Sequence, residues 1–101
     1  MNKARRKELY ALIRKLHKIQ CNDDLYDCIN TLDSVKYDEE YTYNKIPENL
    51  QYSYRAEQSE AAIECMEDAL DYLNDAQNSE DSDEFKEYIE SAISELENAM
   101  A

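Results

Sequence analysis

Apolar residues recur along the chain at spacings of three and four, the periodicity of an amphipathic helix. The first stripe is interrupted by polar residues 21–24 and comprises Leu9, Leu12, Ile13, Leu16, Ile19, Leu25, Cys28, Ile29, Leu32 and Val35. Two interpretations are open: one long bent helix over about residues 3–44, or a break near Asn22 with a new helix starting at Asp23 and Asp24. Because no Gly or Pro enforces a stop there, we favour the continuous or kinked helix.

Pro47 predicts the end of this helix, since its ring disfavours helical geometry in the residue before it. The helix should therefore end by about Asn44, and residues 45–51 should form a turn that reverses the chain. A second helix is predicted over residues 53–77, with Ser53 as N-cap. Its spacing resembles a coiled-coil seam, whose large apolar members are Ile63, Met66, Leu70 and Leu73.

A third helix is predicted over residues 83–100, after an Asp81/Glu84 pair that resembles a capping box. The fold class is therefore all-α: one domain, residues 1–101, in which a long helical hairpin packs with a third helix. If the first helix breaks, the result is a three- to four-helix bundle. Because each apolar stripe is narrow, a homodimer formed through the seam residues of the second helix is also predicted.

The composition supports helices and argues against several kinds of site. The chain has no Gly, no Trp and one Pro among its 101 residues, so it lacks the usual turn signals of β-hairpins. Three cysteines and one histidine match no zinc-binding spacing, and we expect no metal and no cofactor. No apolar run is long enough to span a membrane and no signal peptide is recognisable, so a cytoplasmic location is predicted.

Charge is distributed very unevenly along this chain, whose net charge is −13. Residues 1–18 hold seven of the eleven basic side chains and one acid, Glu8, whereas residues 19–101 hold four basic and twenty-three acidic ones. The basic helix could offset the repulsion among later acidic helices, or it could contact nucleic acid or an anionic membrane. The large negative remainder argues against nucleic acid and membrane as partners.

Carboxylates also repeat at helical spacing along the second predicted helix, in a row that we call the acidic face. Its members are Glu60, Glu64, Glu67, Asp68, Asp71 and Asp75. On a helix, successive carboxylates are about 5 to 6 Å apart, close to the phosphate spacing of a nucleic-acid strand. The row is either a solvated helix surface or a binding site for a protein with a basic surface, which would accept it as a nucleic-acid decoy.

Tyrosines cluster on both sides of Pro47. Four of them are candidate partner-binding residues of the turn, Tyr41, Tyr43, Tyr52 and Tyr54, because tyrosine is enriched where proteins meet. The alternative is that these rings only close the end of the hairpin.

Catalytic patterns are not recognisable: His17 has no nucleophile or acid partner in sequence, and without Gly no phosphate-binding loop can form. We therefore expect no enzymatic activity and no catalytic residues.

The segment 46–57 reads IPENLQYSYRAE and is followed by EAAIE at 60–64. This stretch resembles a group of small acidic proteins of bacteriophages and prophages, which share a PE-x-LQ-x-S-x-R turn between a charged helix and an acidic one. Those proteins often place Gly after the Arg, where this chain has Ala56. The resemblance implies a helical hairpin, a viral or mobile-element origin and a bacterial host cytoplasm. It carries over no functional residue.

Three functional hypotheses follow. The first is an accessory protein that inhibits or modulates a host nucleic-acid-binding or defence protein through its acidic face. The second is a self-assembling structural or scaffold protein that uses the seam residues. The third is a nucleic-acid binder that uses the basic first helix through Arg5, Arg6, Arg14 and Lys15.

Overall fold

The chain forms four α-helices in the computed structural model, which describes residues 1–20, 24–50 and 53–101. The helices are α1 (Lys3–Lys18), α2 (Leu25–Asn44), α3 (Tyr54–Asn78) and α4 (Ser82–Ala99), and a short 3-10 turn covers Glu48–Leu50. The described segments contain no strand. The all-α prediction is confirmed, in its four-helix form.

The favoured continuous first helix is wrong. α1 ends at Lys18, and Ile19 is extended with φ −73° and ψ 134°, so the chain leaves the helix before the polar interruption begins. The new helix begins at Leu25 with Asp24 as its N-cap, so the alternative interpretation is right that the helix breaks, but the first turn begins only after Asp24. The break lets α1 fold back along α2 and bury its own apolar stripe, a gain that one straight helix could not provide. Residues 21–23 lie outside the described part of the chain.

Side-chain caps define three of the helix starts. The side-chain oxygen of Asn2 accepts a hydrogen bond from the Arg5 N–H at 2.8 Å, and the Ser53 hydroxyl oxygen accepts one from the Ala56 N–H at 3.2 Å. Asp81 accepts from the N–H groups of Asp83 and Glu84 at 2.8 and 3.3 Å. These caps satisfy backbone donors that have no partner inside the helix. The Ser53 and Asp81 caps agree with the sequence prediction.

The Asp81 cap is expected to contribute measurably to stability. Asp81→Ala removes the acceptor of two N–H groups and a negative charge beside the positive end of α4, and should lower the free energy of unfolding by about 0.5–2 kcal/mol. Urea unfolding followed by circular dichroism would measure the change. Asp83→Ala is the control, because that side chain accepts no cap hydrogen bond and should cost less.

The four helices pack as an antiparallel bundle about 48 × 20 × 19 Å in extent. α3 packs between α2 and α4, and α1 contacts α2 and α4, so α1 lies diagonally across the bundle from α3. Each helix contributes its apolar stripe to one core. The fully buried large side chains of that core are Leu9, Leu12, Leu16, Leu25, Leu32, Val35, Met66, Leu73 and Leu96.

Candidate interaction surfaces

The acidic face lies on the solvent side of α3. All six of its carboxylate residues are exposed, and at 100° per residue they fall within an arc of about 100°. The buried positions of the helix, such as Ala62, Met66 and Leu73, lie on the opposite side. Glu57 is exposed on the same arc and extends the row by one turn, a member that the sequence analysis missed. The structure therefore presents these carboxylates together, as one outward-facing row.

Two contacts tie the acidic face to α2. Lys36 Nζ lies between two carboxylates, 3.2 Å from Glu40 Oε1 and 3.9 Å from Glu67 Oε1. The Tyr43 hydroxyl donates to Glu60 Oε2 at 3.4 Å. In the described part of the chain, the other four members of the face (Glu64, Asp68, Asp71 and Asp75) have no cation within ion-pair distance. Their mutual repulsion is left for solvent ions or a partner to offset.

The tyrosines of the turn differ in exposure. Tyr41 and Tyr54 are 55% and 75% exposed, whereas Tyr43 is half-buried beside α3. Lys45 Nζ lies 4.2 Å from the centre of the Tyr41 ring, a cation–π contact. The Tyr54 hydroxyl accepts a hydrogen bond from the Gln58 side chain at 2.9 Å. Tyr52 lies outside the described residues, so the predicted turn site rests on the other three tyrosines.

The seam residues of α3 require a correction. Met66 and Leu73 are fully buried inside this chain's own bundle, so a second copy cannot reach them without opening the fold. Ile63 and Leu70 are half-buried and retain some exposed surface. The three-and-four spacing thus reflects packing of α3 against α2 and α4, and only these two seam residues remain accessible on the surface.

α1 presents a row of basic side chains to solvent. Lys3, Lys7, Arg14 and Lys18 are all exposed, and helical geometry places them within an arc of about 60°. We call these four residues the basic face; Arg6 and Lys15, also exposed, flank it. Among the described residues, none of these six side chains has a carboxylate within 4.0 Å. The basic helix therefore does not neutralise the later helices through direct ion pairs at these positions.

Arg5 behaves differently, because it points into the fold toward Glu39. Glu39 is fully buried; its Oε2 lies 2.7 Å from Arg5 Nε, and its Oε1 accepts a hydrogen bond from the Ser59 hydroxyl at 2.7 Å. The Arg5 contact is an ion pair and not a hydrogen bond, because the N–H is poorly aligned with the carboxylate. The Met1 amino group lies 3.3 Å from Glu39 Oε1. This cluster joins α1, α2 and α3 at one end of the bundle.

The largely buried position of Arg5 contrasts with the solvent-facing role predicted for it from the sequence, and Glu39 is a neighbour that the sequence prediction lacks. The signal was nevertheless available. Glu39 follows Val35 by four residues on the buried stripe of α2, and Arg5 precedes Leu9 by four on that of α1. Oppositely charged residues that continue two apolar stripes indicate a buried ion pair where the stripes meet.

A groove with a volume of about 1030 Å³ opens between α1 and the N-terminal half of α4. Its apolar lining comprises Leu16, Ile19, Phe85, Ile89 and Ile93. The rim carries both signs of charge, with Lys86 opposed by Glu80, Asp81 and Glu90, and also includes His17. With three carboxylates and one lysine, the rim is net negative and disfavours an anion.

The described cysteines are poorly suited to react. Burial raises the pKa of the Cys28 thiol above its ordinary value, and that of the Cys65 thiol likewise, so less of either is present as the nucleophilic thiolate. Glu95, Asp68 and Glu64 raise the Cys65 pKa further by repelling a thiolate. Cys21 lies outside the described residues. Within the described ranges, no group of three or more His, Cys, Asp or Glu side chains is arranged to hold a metal ion.

Comparison of the chain with models of protein families, with curated proteins and with solved structures finds no match. Among the helices of the described segments, none is both long and apolar enough to cross a membrane.

Proposed function

We propose that this protein is a non-catalytic binding protein that uses the acidic face of α3 to occupy a basic surface on a partner protein. The observation that carries the proposal is the outward row of six exposed carboxylates, five of which have no cation within ion-pair distance in the described chain. A basic groove that normally holds a nucleic-acid backbone would accept this row, because the carboxylates recur every helical turn at about 5 to 6 Å.

The packing of α3 supports this function. Its residues Ala62, Met66, Ala69, Leu73 and Ala76 are buried along the length of the helix, which holds the row straight and in fixed register. A rigid row loses little conformational freedom on binding, which favours affinity. Together with the resemblance to phage proteins, this supports inhibition of a host nucleic-acid-binding or defence protein as the specific form of the proposal.

The exposed tyrosines of the turn extend the proposed contact. Tyr54 lies one turn before Glu57 at the start of α3, and Tyr43 hydrogen-bonds Glu60. A partner that covers the acidic face from its N-terminal end would therefore meet aromatic rings beside the carboxylates. Lysine and arginine pack well against tyrosine rings, as Lys45 does on Tyr41 within this chain.

Reversing charge on the acidic face should abolish capture of a basic partner. The test variant carries Glu64→Lys, Asp68→Lys, Asp71→Lys and Asp75→Lys, and tagged protein is used to retain partners from bacterial lysate at low salt. We expect the wild type to retain a specific basic protein that is released by salt, since Coulomb attraction between exposed charges is screened. The variant should reduce its recovery at least about tenfold, the equilibrium effect of 1.4 kcal/mol.

The matched control carries the same change in net charge on α4 and the residue before its N-cap, through Glu80→Lys, Glu87→Lys, Glu90→Lys and Glu97→Lys, all at exposed positions. Capture should survive in this control. If both variants lose the partner equally, binding depends on net charge alone, and the assignment to α3 is wrong. If neither variant loses it, the acidic face is not the binding surface.

A further inference from the structure

The bundle carries opposite charges on opposite sides. The basic face lies on the solvent side of α1 and the acidic face on the solvent side of α3, and these two helices are diagonal neighbours across the bundle. From Lys3 to Lys18 and from Glu60 to Asp75 the sequence separation is the same, so each row is about 22 Å long. The molecule therefore has two complementary rows of equal length that cannot reach each other within one chain.

We propose that a second copy of this chain docks its basic face onto the acidic face, so that the contact is made between α1 of one protomer and α3 of the next. The occupant is argued from charge complementarity and matching length. Lys3, Lys7, Arg14 and Lys18 have no carboxylate within ion-pair distance in the described residues, and most of the acidic face has no cation. Docking of two copies gives the basic face its carboxylate partners and the acidic face its cations.

The net charge of −13 does not prevent this contact at moderate ionic strength. At about 0.1 M salt the Debye length is about 10 Å, roughly half the thickness of the bundle. That thickness is close to 20 Å, so the acidic faces of successive protomers are screened from each other. Charges in the contact lie within a few ångströms of their counterparts and are screened much less.

The contact joins two different surfaces of the same chain, so it is heterologous. A protomer bound through its acidic face still has a free basic face, and the next copy can add there. The arrangement therefore produces open chains whose length rises with concentration, unless an angle between protomers closes a ring. A nucleic acid on α1 is a poorer match, since it would pair the basic face and leave the acidic face unpaired.

Self-association would use the same acidic face as the proposed function. The test of self-association needs only the purified protein, whereas the test of the proposed function needs a partner from lysate. Either proposal can therefore fail without the other. Sedimentation velocity over a range of concentrations should show a mean mass above the 11.9 kDa monomer at about 0.1 M salt. At about 1 M salt, where the Debye length is about 3 Å, the mass should return to that of the monomer.

Two neutralised variants test the pairing of the faces. One carries Lys3→Gln, Lys7→Gln, Arg14→Gln and Lys18→Gln, and the other carries Glu64→Gln, Asp68→Asn, Asp71→Asn and Asp75→Asn. Each alone should be monomeric, because one of its two faces is lost. An equimolar mixture should form a heterodimer of twice the monomer mass that grows no further, because the intact acidic face of the first accepts the intact basic face of the second.

A third variant, with Glu80→Gln, Glu87→Gln, Glu90→Gln and Glu97→Gln, is the control and should associate like the wild type. The proposal is overturned if the wild type stays monomeric at about 0.1 M salt. It is also overturned if an oligomer persists unchanged in about 1 M salt, which would indicate an apolar contact instead. Binding of a short DNA duplex by a wild type that remains monomeric would assign the basic face to nucleic acid.

Discussion

Glu39→Ala should lower the free energy of unfolding by about 3–5 kcal/mol, the typical effect of removing one partner from a buried ion pair. The carboxylate of Glu39 is fully buried and lies 2.7 Å from both Arg5 Nε and Ser59 Oγ. Its removal leaves the guanidinium, whose side chain is only 13% exposed, without its carboxylate, and the Ser59 hydroxyl without its acceptor. Urea unfolding monitored by circular dichroism measures the change.

Glu40→Ala is the matched control for this substitution. Glu40 is the next residue of α2, but it is half exposed and pairs with Lys36 at the surface, a type of contact that contributes about 0–1 kcal/mol. The double variant Arg5→Met with Glu39→Met should recover part of the loss, because apolar side chains can replace the Arg5–Glu39 pair while the buried Met1 amino group still loses its carboxylate. Equal costs for Glu39→Ala and Glu40→Ala would show that Glu39 is solvated.

Leu73→Ala should destabilise the bundle by about 2–5 kcal/mol, because it removes a fully buried side chain and leaves a cavity between α3 and its neighbours. Leu70→Ala, one turn earlier on the same helix, should cost only about 1 kcal/mol, since Leu70 is half-buried. The two substitutions share side chain, helix and helix propensity. The difference between their unfolding free energies therefore reports which side of α3 faces the core.

The same pair distinguishes the intramolecular core from a self-association seam. If Leu73 contacted a second copy instead of its own core, its substitution would lower the oligomeric mass and would destabilise the fold in a concentration-dependent way. We expect a loss of stability that does not depend on protein concentration. A midpoint of unfolding that shifts with concentration in the wild type but not in Leu73→Ala would contradict this packing.

Features set by local chemistry could be predicted from the sequence. Asn2, Ser53 and Asp81 are good acceptors placed directly before helical stripes, and Pro47 excludes helical geometry just before it, so these boundaries were predicted within about two residues. The sequence favours a continuous helix over a break at Ile19, because no Gly or Pro lies there to end the helix. The break is stabilised by the packing of α1 on α2, a gain that appears only when both helices are present.

Sequence patterns also could not identify which surface covers the buried side of each helix. A stripe at three-and-four spacing shows which side of α3 is buried, but it does not show whether the covering surface belongs to the same chain. Met66 and Leu73 are covered by α2 and α4, which the sequence left open. The acidic face was easier to predict, because exposed carboxylates on the side opposite the apolar stripe need no knowledge of neighbouring helices.

The unequal packing of α1 and α3 makes local stability uneven. α3 buries seven residues between two neighbours along its length, whereas α1 buries four and borders an open groove. Because α1 packs against α2 and α4 far less extensively than α3 does, opening of α1 alone disrupts less packing, requires less free energy and occurs more often. Seven of the eleven basic side chains thus belong to the helix that detaches most readily, whereas the carboxylate row belongs to the most extensively packed helix.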